Sequence, residues 1–558
     1  MKTKFFSVTL TAVCMGFLCM LLVTTGCKKP TDNITWSVNT DVYKSPVLIR
    51  FVNANSTSTT QPDNFTVQIT GKDADKVMMG SGGTDFQANK GFLPLALDPS
   101  ANPSPENPVI FNVYATIPGF APVSQTFMVT SDTIPVDHTI MALEYAHPAD
   151  GTAVLQQSTA LNGGTAPATV LSTSPSGSMT ESSTITIADG TQMLDANHNV
   201  INATTLESDV VHFGTGTQSS MLAFPGGFNP IDVQRDGQAY HDVTFKTGGF
   251  LSIKMTAGTS EVKFFSKPIT VSAQLNNALI NPITDQPVQV GDTIPIWSMN
   301  EQTGQWKYET TATSALDGTG KMTIQFQAAH LSCWNIDWWF YNPCRSVLRV
   351  NVHITIPGFR PQYEMVLVDA NEQYLGGLYT DNTWATVVTL YDGLTTVIPV
   401  VPDIGRAKIV VYTRRGDPTS KIAETVFFNP CTKGTIDVTI TPPGPPELIN
   451  VKLFVQGKCT NKNVVANVGA WVFLYKLNAA WWDWRVIYVN RGQAAFQLEN
   501  GATYFVATYY GGGFYTTTGT FNKADMNFPQ ENGLGGTATY NAGTNTVTAY
   551  LTFALACH

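Results

Sequence analysis

The sequence predicts an all-β protein, several β-sandwich, Ig-like domains in tandem behind an N-terminal signal segment. Short segments that alternate or cluster β-branched and aromatic residues recur between Gly, Pro, Asn and Asp: "VLIRFVNA" (47–54), "NFTVQITG" (64–71), "FLSIKMTA" (250–257), "KMTIQFQAAH" (321–330), "RVNVHITI" (349–356), "AKIVVYTR" (407–414), "GTIDVTIT" (434–441) and "NTVTAYLTFAL" (545–555). No window sustains a 3.6-residue apolar period over three turns. Composition agrees: 43% hydrophobic and only 13% charged residues supply core material and argue against disorder. At 558 residues, the chain has room for about three to five such domains.

The first element is "MKTKFFSVTLTAVCMGFLCMLLVTTGCKKP", with Lys2 and Lys4, an apolar run over 5–23, and small residues before a cysteine. It reads as a secretory signal over 1–26. A membrane-spanning helix is disfavoured, because Thr24, Thr25, Gly26, Lys28 and Lys29 end the run at a length marginal for a bilayer. "TTGC" resembles the lipobox of bacterial envelope lipoproteins of the Bacteroidetes type, with Thr24 where leucine is usual. The resemblance implies lipidation of Cys27 and a membrane partner reached through that anchor. Lys28, in place of an aspartate, resembles the pattern of lipoproteins sent to the cell outer membrane.

A first β-sandwich is expected over 46–145. The Gly/Ser/Thr/Ala-rich run at 158–183 has little to bury and reads as a joining stretch. A second domain spans 183–341, and a tryptophan-rich segment gives way to a new strand near 342–344. A third domain covers 344–441. "TPPGPPE" (441–447) is a stiff linker, which makes 448–558 a fourth domain. "NVYATIPGFAP" (112–122) and "NVHITIPGFRP" (351–361) echo each other. The echo suggests either related Ig-like or carboxypeptidase-regulatory-like domains, or a shared strand running into a Pro-Gly turn.

The second domain carries a specific pattern. Trp297, Asn300, Gly304 and Trp306 in "PIWSMNEQTGQWKYE" (295–309) precede His330, Ser332, Trp334 and Asn335 in "MTIQFQAAHLSCWN" (322–335). Together with "STITIADGTQMLDANHNVI" (183–201) and "TGGFLSIKMTAG" (247–258), they resemble the extracellular β-domain of bacterial lipoproteins and cartilage-intermediate-layer-type proteins. More distantly, the strand resembles the self-cleaving ZU5 and GAIN domains. That resemblance implies an alternative function, a self-processing domain cut between Leu331 and Ser332, with Ser332 Oγ as nucleophile and His330 as base. The structural alternative follows from a period of two over 322–334, which turns His330 and Ser332 to one face as a buried, hydrogen-bonded pair.

Other chemistry has weaker support. "DANHN" (195–199) opens like a calcium loop, but Val200 and Leu206 stand where glycine and glutamate belong, so it reads as a turn. HExxH, GxSxG, P-loop and CxxC motifs are missing from the sequence, and the eight histidines show no ligand spacing. No metal, cofactor or turnover enzyme is expected. A net charge of -9 with no basic block argues against a nucleic-acid partner.

Aromatic clusters suggest binding. "AAWWDWRVIY" (479–488) and "YYGGGFY" (509–515) offer Trp481, Asp483, Arg485, Tyr509 and Tyr510 as a platform on which sugar rings stack, the alternative being that these rings fill a core. Five of the eight cysteines remain after Cys14 and Cys19 leave with the signal and Cys27 is lipidated. Cys344 with Cys431, and Cys459 with Cys557, bracket the third and fourth domains, so two bridges and a free Cys333 are expected in an oxidising compartment. The functional expectation is a lipid-anchored, non-catalytic envelope protein that is structural or binds a glycan or protein.

Overall fold

The computed structural model describes residues 36–39 and 44–555, apart from 105–106, 133–134, 228–229, 231, 242, 342–343, 345–347, 378–386, 399–402, 414–417, 444–445, 478–483 and 512. The signal segment, Cys27, Trp481, Asp483 and Cys557 lie outside the described residues.

The fold is all-β; among the described residues the sheets pair into four sandwiches in tandem. After β1 (Trp36–Asn39), the first domain has β2 (Lys44–Asn53), β3 (Gln68–Thr70), β4 (Val77–Met79), β5 (Phe92–Leu97), β6 (Val109–Ala115), β7 (Val123–Val129) and β8 (Val136–Ala142). Its sheets run β8-β2-β5-β4 and β3-β6-β7. Alternating buried residues such as Val47, Ile49, Phe111, Val113 and Ile140 fill the space between them.

The central domain begins with β9 (Thr152–Ala160), β10 (Thr169–Ser172), β11 (Ser183–Ile187), β12 (Thr191–Leu194) and β13 (Thr205–Phe213). It continues through a short helix (Gln218–Ala223) to β14 (Thr244–Ala257), β15 (Phe264–Gln274), β16 (Thr293–Asn300), β17 (Gln305–Thr313), β18 (Met322–His330) and β19 (Cys333–Phe340). One sheet contains β9-β13-β14-β19-β16-β17; in the other, β15 pairs with β18 on one edge and with β11 and β12 on the other. The stretch 158–183 is therefore part of this domain and not a linker. β9 pairs with β13 along its whole length, and Leu171 and Ile185 enter the core. Threonine is β-branched, so its low apolar content masks strand propensity without removing it.

The third domain has β20 (Leu348–Ile354), β21 (Gln362–Val368), β22 (Thr395–Ile398), β23 (Lys408–Tyr412), β24 (Lys421–Glu424) and β25 (Thr435–Ile440), in sheets β22-β20-β25 and β21-β23-β24. The fourth has β26 (Leu448–Cys459), β27 (Val464–Asn467), β28 (Ala470–Lys476), β29 (Trp484–Val489), β30 (Gln493–Glu499), β31 (Ala502–Tyr510), β32 (Gly513–Phe521), β33 (Met526–Glu531), β34 (Leu534–Asn541) and β35 (Thr546–Leu555). Its sheets are β27-β26-β35-β34-β33, with β30 on β26, and β29-β28-β31-β32.

In the first, third and fourth domains, the first and last strands lie side by side in parallel: β2 with β8, β20 with β25, β26 with β35. The chain thus enters such a domain at one end and leaves at the other. Cys344 and Cys431, bonded to each other, precede β20 and β25 and tie the starts of that pair. Cys459 is disulfide-bonded and stands opposite Leu555, two residues before Cys557.

The two echoed segments are a shared strand and turn. Gly119 and Gly358 take φ of +82° and +74°, each after a proline, as the third residue of a type II turn requires. The strand before the turn is β6, internal to the first domain, in one case, and β20, which opens the third domain, in the other.

The domains are packed together. Leu48 and Phe92 of the first meet Trp471, Phe473, Val486 and Ala507 of the fourth. β1 adds in parallel to β27, so the N-terminal strand belongs to the C-terminal sheet. The outer face of the large central sheet, with Phe245, Phe250, Trp297 and Trp306, is covered by Ala121 and Leu143 of the first domain and by Val366, Val410 and Tyr412 of the third.

Candidate functional site

The candidate site lies where the chain changes sheets. β18 ends at His330, and β19 begins at Cys333 in the opposite sheet, so Leu331 and Ser332 form the corner between them. The period of two stops there, which corrects the expectation that His330 and Ser332 share a buried face. Ser332 is buried, and its Oγ accepts from Met299 N at 3.1 Å and donates to Met299 O at 2.5 Å. His330 is partly exposed and stacks on Trp334, ring centres 5.0 Å apart, with Nε2 3.3 Å from Glu309 Oε1. The imidazole and the hydroxyl have separate partners and do not form the hydrogen-bonded pair that either reading of this stretch required. His330 Nδ1 lies 3.5 Å from the Leu331 carbonyl oxygen.

Glu309 gathers polar groups at this corner. Burial alone would raise its pKa, but hydrogen bonds from His330, Ser298 and Lys307 outweigh it and hold the carboxyl at about 2. Among the described residues Cys333 is a free thiol; its Sγ lies 3.1 Å from Glu301 Oε1, and burial pushes it well above the usual thiol range.

The other signature residues have packing roles. Trp297 and Trp306 are fully buried between domains, and Trp297 Nε1 donates to the Asp337 carbonyl at 3.1 Å. Asn300 Oδ1 accepts from the Gln302 and Thr303 amides and so closes the β16–β17 turn. Gly304, at φ +71°, sits where a Cβ would fall 2.2 Å from Thr126 Oγ1 of the first domain. That turn docks there, the Glu301 and Gln302 carbonyls accepting from Asn112 Nδ2 at 3.2 Å each.

Asn335 and Asp337 face outward from β19, opposite Trp334 and Ile336, and lie beneath the third domain. Thr247 Oγ1 donates to Asn335 Oδ1 at 3.2 Å, and Asn335 Nδ2 donates to Asp337. A bulge in β14 between Thr247 and Phe250 shapes this contact. Lys246 Nζ, from the same strand, reaches Asp369 Oδ2 of the third domain at 2.9 Å, both side chains buried. The sequence reading missed this cluster, because a lone lysine and two aspartates on separate segments leave no spacing signal.

The buried histidine–serine pair expected at 330–332 occurs elsewhere in the domain, between Ser183 and His212. "DANHN" is a turn closed by Asp195, whose Oδ1 accepts from the Asn197 and Asn199 amides. Among the described residues no group of three His, Cys, Asp or Glu is placed to hold a metal ion. No helix among them is long and apolar enough to cross a membrane.

Of the residues expected to form a sugar platform, the three described ones, Arg485, Tyr509 and Tyr510, do not converge. Arg485 is largely buried, its guanidinium bonded to the Gln497 carbonyl and 5.5 Å over Phe496, and burial lowers its pKa to about 10. Tyr509 packs into the cluster shared with the first domain, whereas Tyr510 packs against Phe553, 5.5 Å away, on the fourth domain's own core. Adjacent residues on β31 point to opposite faces.

No family model matches the sequence, and no curated protein matches it. Solved structures that align with it include the major pilin subunit of Bacillus cereus, 10% identical over 92% of this chain and 99% of that one, with a TM-score of 0.14. A pilus adhesin of Lactobacillus rhamnosus GG is 12% identical, covering 73% and 57%, with a TM-score of 0.13. The major pilin of Streptococcus pneumoniae is 9% identical, covering 91% and 99%, with a TM-score of 0.12. Scores this low carry no argument about fold or function.

Proposed function

We propose that this protein is a non-catalytic structural or binding module of a bacterial cell envelope, tethered to the outer membrane by lipid at Cys27. The observation that carries the reading is the locking of the sandwich domains to one another. The first grips the second through Asn112 and Ser124, the second grips the third through Thr247 and Gln373, and the first covers the fourth through Phe92 and Phe473. Such a body presents a fixed surface to a partner. At the corner holding His330 and Ser332, the hydroxyl is committed to Met299 and the imidazole to Glu309 and Trp334, which favours a structural role for both. Because Arg485, Tyr509 and Tyr510 are engaged in packing, the reading favours a protein ligand over a glycan bound at those residues.

Fractionation tests the tether. Wild-type chain should sediment with outer membranes, and Cys27→Ser should release it into the soluble fraction. Retention of Cys27→Ser in the membrane pellet would overturn the lipid anchor.

A further inference from the structure

We propose that Lys246 and Asp369 become joined by an amide bond that fastens the central domain covalently to the third.

The geometry is that of an amine held against a carboxyl group. Lys246 Nζ lies 2.9 Å from Asp369 Oδ2, the side chains are 2% and 8% exposed, and among the described residues the amine has no other acceptor. The second oxygen, Oδ1, accepts two backbone N–H groups, from Asn371 and Gln373, each at 2.8 Å. Paired amide donors at that distance stabilise the negative charge that builds on a carbonyl oxygen when a nucleophile adds to its carbon. The same turn is clamped to β14 from both sides: Thr247 N donates to Gln373 Oε1 at 3.1 Å, and Gln373 Nε2 donates to Thr247 O at 2.7 Å. Holding both reactants in place replaces an encounter in solution with a step inside one molecule.

The surroundings favour the neutral amine. Burial pushes the Lys246 amine below its usual range, against the opposing pull of Asp369. Burial also raises Asp337, opposite Thr247 on β19, well above the usual carboxylate range, which weakens its pull on the ammonium form without removing it. A cavity of about 220 Å³ opens beside the pair, lined by Lys246, Asp369, Ile280, Pro282, Asn371 and Arg406. It provides an exit for water.

The step balances within the pair. Nζ bonds to Asp369 Cγ, the Cγ–Oδ2 bond breaks, and its electron pair leaves with Oδ2. Of the three protons that the amine and the carboxyl group hold between them, one stays on the amide nitrogen and two depart with Oδ2 as water. No oxidant, metal or cofactor takes part.

The test is a peptide map of the full mature chain by mass spectrometry. The expected result is a branched peptide joining the Lys246 and Asp369 segments, one water lighter than their sum, with loss of cleavage after Lys246. Lys246→Arg and Asp369→Ala should each abolish it. Because either variant could fail to fold, the wild-type map decides alone. Recovery of both segments unlinked and at full mass, or water loss from one unbranched segment, overturns the proposal.

Discussion

Ser183 Oγ lies 3.0 Å from His212 Nδ1, a buried hydrogen bond that bridges the two sheets of the central domain. Burial lowers the His212 pKa from 6.5 to about 4. Between those values the unfolded chain takes up a proton that the folded chain refuses. The stabilisation is therefore complete above about 6.5 and is lost as pH falls towards 4. Denaturant unfolding at a series of pH values should show this slope, and His212→Gln should flatten it. An unchanged slope in the variant would exclude His212 as its source.

Ser332→Ala should lower stability by about 1–3 kcal/mol, because the Met299 amide and carbonyl are left buried without their partner. His330→Ala removes different contacts, with Glu309 and Trp334. The two side chains share no hydrogen-bond partner, so a double-mutant cycle should give a coupling smaller than either single effect. The wild type should run as one band on a denaturing gel. Two bands, reduced to one by Ser332→Ala, would restore the self-processing reading.

Opening the Cys344–Cys431 bridge, which spans 87 residues, should cost about 4 kcal/mol. Cys333 should resist thiol reagents in the folded chain and react once it unfolds, since burial keeps its thiol protonated. Labelling with and without denaturant reads this directly; rapid labelling of native protein would contradict it.

Phe473 is fully buried, with its ring centre 4.2 Å from that of Phe92 across the contact between the first and fourth domains. Phe473→Ala should cost about 3–5 kcal/mol. Tyr509→Ala should lower the melting temperature and leave any oligosaccharide titration unchanged. Loss of sugar binding at constant melting temperature would reinstate the platform.

Each strand segment singled out in the sequence, from 47–54 to 545–555, lies on or overlaps a strand: several bury one face and record a period of two, whereas 250–253 and 408–412 are buried on both faces and show clustered β-branched and aromatic residues instead. The start of the central domain was illegible: β9 is Gln/Ser/Thr-rich over much of its length, and its partner β13 supplies many of the core-facing apolar residues. The corner at Leu331 was hidden for another reason. Alternation shows which residues share a face but not where the chain leaves one sheet for the other. The Lys246 cluster depends on two domains meeting, which no local pattern encodes.

The parallel pairing of first and last strands has a mechanical consequence. When a domain is pulled by its two ends, tension runs along the strand axes, and the whole ladder from Asn450–Thr546 to Cys459–Leu555 resists in shear. Hydrogen bonds strained together yield at far higher force than bonds peeled one at a time. In the third domain the Cys344–Cys431 bond sits at the start of the same kind of pair, where it cannot lengthen.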